Sequence, residues 1–110
     1  MNKLKYIKLM ADYSSTGVWE RGGANADLSE FPLSESLQKE ITDWCDYYEI
    51  NDDWQAPENR RQPLFDLKSF SIVGLAIAKK IKKELPDYQV MYFDEYKSSQ
   101  KESRYLYEIF

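Results

Sequence analysis

Two stretches with apolar residues at helical spacing, separated by a turn-rich connection, most constrain what these 110 residues can build. In the first, Leu37, Ile41, Trp44 and Tyr48 recur at steps of four, three and four, with Cys45 beside them. Pro32 precedes it, and Ser34 offers an N-cap with Glu35 in the first turn, where a carboxylate meets the positive end of a helix. The second spans about residues 67–85 and stops before Pro86. Its Phe70, Val73, Gly74, Ile77, Ile81 and Leu85 share one face, with Lys79, Lys82 and Lys83 opposite. Ile72 and Leu75 fall on the lysine side, so the first half of this helix must be covered from two directions or present an apolar patch.

Strand-like runs lie outside this helical pair. Leu4 to Met10 mixes apolar, aromatic and basic residues as a strand with one more buried face. Tyr88 to Phe93 is a second run, followed by a polar turn through Lys97–Lys101 and a hairpin partner at Tyr105–Phe110. Asp12 to Phe31 carries Ser14, Ser15, Gly17, Gly22, Gly23 and Asn25 and reads as an extended loop that buries Trp19. Residues 51–66 hold Asn51, Asp52, Asp53, Pro57, Asn59 and Pro63 and read as the connection between the helices. The order strand, helix, helix, strand, strand predicts an α+β fold, a small mixed three-stranded sheet packed against two helices. The length suits one domain over residues 1–110. A right-handed crossover makes the first strand and the Tyr88 strand parallel if they are neighbours.

The residue stock removes much chemistry. There is no histidine and only one cysteine, Cys45, which excludes an internal disulfide, thiolate zinc clusters and the Ser/His and Cys/His nucleophile pairs. Gly22-Gly23 is a bare pair without a phosphate-binding pattern, so no nucleotide cofactor is expected. Asp52-Asp53, with Asp46 and Glu49 upstream, suits hard cations but lacks the spacing of a calcium loop, and no metal is expected. Paired carboxylates, Asp12 with Glu20 or Asp94 with Glu95, are the enzyme chemistry that survives. Adjacent Asp94 and Glu95 would point to opposite faces of a strand, which disfavours concerted work, and the chain reads as a non-enzyme.

The longest run without a polar residue, Ile72–Ala78, is far short of the roughly 18 residues that cross a bilayer. Lys5, Lys8 and Asp12 interrupt any signal-peptide apolar core. A cytoplasmic protein without a membrane partner is expected, a setting that suits an unpaired Cys45.

Charge is unevenly spread along the chain, whose net value is -4. Residues 27–58 hold ten carboxylates against Lys39 alone, a net -9, whereas residues 1–26 and 60–110 are mildly basic. On the first helix Glu35, Asp46 and Glu49 lie opposite the apolar face at about 100° per residue, joined by Asp53 if the helix reaches it. Such a ridge is either a solvated face or an electrostatic guide to a basic partner that discourages nucleic acid. The second reading places Asp43, Asp46, Glu49, Asp52 and Asp53 at an interface, with Tyr47 and Trp54 as apolar anchors, because Tyr and Trp are enriched among interface hot spots. Trp44, Phe70 and Phe93 fit the core by periodicity.

The run Lys8-Leu9-Met10-Ala11-Asp12-Tyr13 ending the first strand, Trp19 soon after, Leu33-Ser34 at a helix start, Trp44 within that helix and the Tyr88–Phe93 strand together carry a family likeness. In these features the chain resembles small acidic bacterial immunity proteins of toxin–immunity systems, including contact-dependent growth inhibition. The likeness covers most of the chain except residues 51–66 and the last fifteen or so. It implies a cytoplasmic protein that binds one cognate toxin domain and blocks it, often by covering a nuclease active site. A basic nuclease fits the acidic ridge, since fixed carboxylates can sit where phosphates would. A binding or adaptor module for another basic protein is the alternative.

Overall fold

The computed structural model describes residues 5–12, 14–49, 66–102 and 105–110. Along the chain run β1 (Tyr6–Leu9), β2 (Val18–Trp19), a 3-10 turn at Leu28–Glu30, α1 (Glu35–Glu49), α2 (Leu67–Glu84), β3 (Gln89–Phe93), α3 (Glu95–Ser99) and β4 (Leu106–Ile109). The four strands form one mixed sheet in the order β2-β1-β3-β4. β1 runs parallel to β3, with Ile7 opposite Val90 and Leu9 opposite Tyr92, whereas β2 and β4 pair antiparallel at the two edges.

The predicted α+β architecture with two principal helices is present, and so are the parallel central pair and the closing hairpin. The sheet has four strands, not three. Val18–Trp19 lies in the span read as a loop, and a two-residue strand is too short for alternation to register in sequence. Trp19 is half-buried instead of enclosed, and its indole N–H donates to the Met10 carbonyl oxygen at 2.8 Å, which ties β2 to the end of β1. The polar turn expected at Lys97–Lys101 begins as a turn of helix, α3, because the Asp94 carboxylate accepts from the Lys97 N–H at 3.0 Å and caps it.

Period-two alternation separates the sheet's faces: Ile7, Leu9, Val90, Tyr92 and Ile109 are buried toward the helices. Phe93, expected in the core, points the other way and packs edge-on against Tyr105, with ring centroids 5.3 Å apart. Its place in a strand reverses its face relative to Tyr92.

Ser34 does more than begin α1. Its hydroxyl oxygen accepts from the Leu37 N–H, while its own N–H and hydroxyl each donate to the Glu84 carboxylate at 2.7 Å. The start of α1 is thereby fastened to the end of α2, which fits antiparallel helices. Gly74 lets them close on the sheet: a Cβ there would stand 2.6 Å from Trp44 Cζ2 and also overlap the Tyr92 ring. Tyr92 uses the space to donate from its hydroxyl to the Ser71 carbonyl oxygen at 2.8 Å. Among the described residues, no helix is long and apolar enough to cross a membrane.

Candidate functional site

Where α1 and α2 meet, the core reaches the surface. Trp44 is buried and stacks on Phe70, and Tyr47 and Tyr48 extend the aromatic cluster, with centroids 6.2 Å and 5.4 Å from Phe70. Beside this cluster lies a groove of about 570 Å³. α1 lines it with Glu40, Asp43, Trp44 and Tyr47, and α2 lines it with Ser69, Phe70, Ile72, Val73, Ala76, Ile77 and Lys80.

The two helices contribute different surfaces. Ile72 is 62% exposed and Val73 49% exposed. Of the two alternatives left for that side of α2, Ile72 takes the apolar patch while Leu75 packs partly against the core, and Val73, assigned to the buried face, joins the patch. The reason is geometric: Val73 sits at the edge of the face centred on Gly74, Ile77 and Ile81, and α1 covers only one flank of α2 there.

The candidate carboxylates do not form one uniform ridge. Asp43 and Tyr47 face the groove, and Tyr47, 38% exposed, accepts from the Asp66 N–H through its hydroxyl oxygen at 3.4 Å. Asp46 stands exposed on the outer crest of α1 and makes no ion pair among the described residues. Glu49 lies about 120° around the helix from Asp43. Its carboxylate accepts from the Ser14 N–H at 2.6 Å, holding the loop after β1, where Ser14 adopts a positive φ of 59°. Asp52, Asp53 and Trp54 lie outside the described residues.

Neighbouring lysines temper the field. Lys39 pairs with Asp43 at 2.9 Å one turn along α1, and Lys80 reaches across from α2 to Glu40 at 2.6 Å. Both pairs are exposed to solvent, where such contacts contribute little, so an incoming cation can exchange with either lysine. The helix also carries its anions at an unfavourable end. Its last turn has no basic residue, although the partial negative charge at a helix C-terminus disfavours carboxylates there. The Ser14 N–H offsets this at Glu49; among the described residues no hydrogen bond does so at Asp46, which feels only the more distant Lys39 charge.

Glu40, Ile72, Val73, Ala76 and Lys80 escaped the sequence-based choice of site. Ile72 alone gave a signal, an aliphatic side chain on the lysine side of its helix. The Glu40–Lys80 contact spans forty residues of chain and leaves no local trace.

Other chemistry is confined. Burial pushes the Cys45 thiol up to about 12, with the charges of Asp46 and Glu49 adding to the effect, so it is held as an unreactive thiol. Glu95 is raised to about 7, chiefly by burial and then by the neighbouring Asp12 and Asp94 charges. Asp94, expected to share acid–base work with Glu95, is occupied as the cap of α3 and accepts from the Tyr107 hydroxyl at 3.3 Å. Among the described residues, no group of three or more acidic or cysteine side chains is arranged to hold a metal ion.

A family profile described as "Serratia CdiI immunity protein-like" matches residues 5–95, which include β1 to β3, both long helices and the groove. No curated protein matches the chain.

Proposed function

We propose that this chain, which belongs to the Serratia CdiI immunity protein-like family, blocks its toxin by laying the α1 crest and the adjoining groove over a basic surface of that toxin. Membership implies neutralisation of a contact-dependent growth inhibition toxin by a non-enzymatic inhibitor. Immunity proteins of this kind typically act in the cytoplasm, where the incoming toxin meets its target.

The supporting observation is the exposed Asp46 beside a solvent-open apolar groove, at the helix end where a carboxylate is locally unfavourable. A local rule broken without an offsetting hydrogen bond or ion pair among the described residues supports a role outside the fold. Apolar area flanked by exchangeable charge is also the anatomy of a protein–protein interface, in which aromatic anchors supply energy and rim charges supply rate and selectivity.

The toxin activity that fits this surface is that of a nuclease. An enzyme that grips a polyanion needs fixed positive charge in its cleft, and an anionic helix competes for the same cations. Asp43 and Asp46 are the contacting carboxylates in this reading, Tyr47 is the anchor, and Glu49 serves partly to shape the neighbouring loop.

The test uses the toxin domain encoded beside this chain. Its nucleic-acid cleavage is measured alone, with the wild-type chain, and with Asp43→Lys/Asp46→Lys. Full protection by the wild type and lost protection by the double variant are expected. Cleavage that the wild type leaves untouched while still binding the toxin overturns active-site blockade, and a toxin without nuclease activity overturns the substrate class.

A further inference from the structure

The groove has a regular spacing that its volume alone does not convey. Along α1 its lining residues Glu40, Asp43, Trp44 and Tyr47 fall at i, i+3, i+4 and i+7. Along α2, Ser69, Ile72, Val73, Ala76 and Lys80 fall at i, i+3, i+4, i+7 and i+11. Each helix thus turns a continuous stripe toward the same seam, the pattern by which helices pack side by side. Two such stripes converging on an open seam are what a third helix meets when it docks between two others.

We infer that the groove receives a helix of the cognate toxin, an amphipathic segment with an apolar ridge flanked on one side by Lys or Arg. This rests on the immunity reading and names the element that occupies the site. Three observations favour a helix over a single side chain or an extended peptide. The volume of about 570 Å³ holds several apolar side chains, more than one anchor fills. Ser69 and Ala76 are small and lie on the seam, so an approaching backbone is not held off by bulk. Finally, neither groove wall is a strand edge, so the site offers no ladder of backbone donors and acceptors to an extended chain.

Charge fixes how the segment lies. The α1 lip is anionic through Glu40 and Asp43, with Asp46 beyond it on the crest. The α2 lip carries Lys80, with Lys79 and Lys83 exposed further along the helix. The basic flank of the incoming helix therefore faces α1, where it exchanges with Lys39 and Lys80 for Asp43 and Glu40. The reverse orientation sets the Lys or Arg flank against Lys80 and leaves Glu40 and Asp43 without an incoming cation.

The experiment uses the full chain and the toxin domain encoded beside it, with affinity read by calorimetry. Ala76→Trp fills the seam at an exposed position; it should weaken binding about a hundredfold, whereas Glu102→Ala, remote on the surface, should leave it unchanged. Far-UV circular dichroism and thermal melting check that Ala76→Trp keeps the fold. The variants Ile72→Cys and Ala76→Cys, whose added thiol is exposed while Cys45 stays buried, cross-linked to the toxin and mapped by mass spectrometry, should reach toxin residues three or four apart. Undiminished affinity in a folded Ala76→Trp overturns the groove as the site. Cross-links spaced two apart overturn the helix in favour of a strand. A dimer of this chain in solution that Ala76→Trp dissolves assigns the seam to a second copy and likewise overturns the inference. Asp46→Lys, measured in parallel, separates the two proposals: if it weakens binding while Ala76→Trp does not, the acidic face stands and only the helix falls.

Discussion

The Trp44 indole lies flat on the Phe70 ring, with centroids 4.5 Å apart and planes 5° from parallel, and its N–H donates to the carbonyl oxygen of that same Phe70 at 3.0 Å. One side chain of α1 thereby holds both the side chain and the backbone of one residue of α2. This pairing forms the floor of the groove, so the candidate site and the fold share a foundation.

Trp44→Phe keeps most of the buried area but leaves the Phe70 carbonyl without its indole donor, an expected loss of about 1–3 kcal/mol. Trp44→Ala also removes the ring and should cost about 3–5 kcal/mol. Urea unfolding followed by tyrosine and far-UV signals checks both; equal losses in the two variants would mean that the hydrogen bond and not the ring carries the contact.

Gly74 offers a test of sign. In an exposed helix Gly→Ala stabilises by about 1 kcal/mol. Here the new methyl carbon would stand 2.6 Å from Trp44 and press on Tyr92, so Gly74→Ala should destabilise by about 1–3 kcal/mol and lower the melting temperature. A raised melting temperature would show that the helices can move apart at little cost.

Glu95 makes stability depend on pH. Burial, with the charges of Asp12 and Asp94, lifts its carboxyl from 4.5 to about 7, so between those values the folded chain holds a proton that the unfolded chain releases. Its contribution is therefore fully present below about 4.5 and is lost as pH rises through about 7. Glu95→Gln keeps the neutral shape and should melt higher than the wild type at pH 8, with the gap closing toward pH 5. Melting curves across that range decide the matter, and parallel pH profiles for the two proteins would refute it.

Asp46 should govern rate more than strength. Because it is exposed and unpaired among the described residues, Asp46→Lys is expected to slow association with the toxin about tenfold at low salt, and the difference should shrink as ionic strength rises. Stopped-flow binding at two salt concentrations measures this. A defect confined to dissociation would place Asp46 inside a desolvated contact instead of on a steering rim.

Cys45 gives a check on the core. Its thiol, buried against Gly17 and pushed up to about 12, should resist alkylation in the folded chain and react promptly in denaturant. Fast modification of the native protein would mean that the contact between α1 and the β1–β2 connection opens readily.

Local rules in the sequence reach as far as individual elements. The steps between Leu37, Ile41, Trp44 and Tyr48 determine α1, Pro86 ends α2, and the aromatic and β-branched run before Asp94 determines β3, because each depends only on neighbours within a turn or two of chain. The acidic character of α1 and its apolar back follow from the same arithmetic. What surrounds each charge does not. Only the packed molecule decides that Glu49 turns to Ser14, that Lys80 crosses to Glu40, and that Val73 opens to solvent beside Ile72. Those outcomes depend on the distance and rotation between elements tens of residues apart, and these are set when Gly74 lets α2 settle on Trp44 and Tyr92. A helical period fixes where a side chain points about its own axis; what it points at is settled by the position of the neighbouring helix.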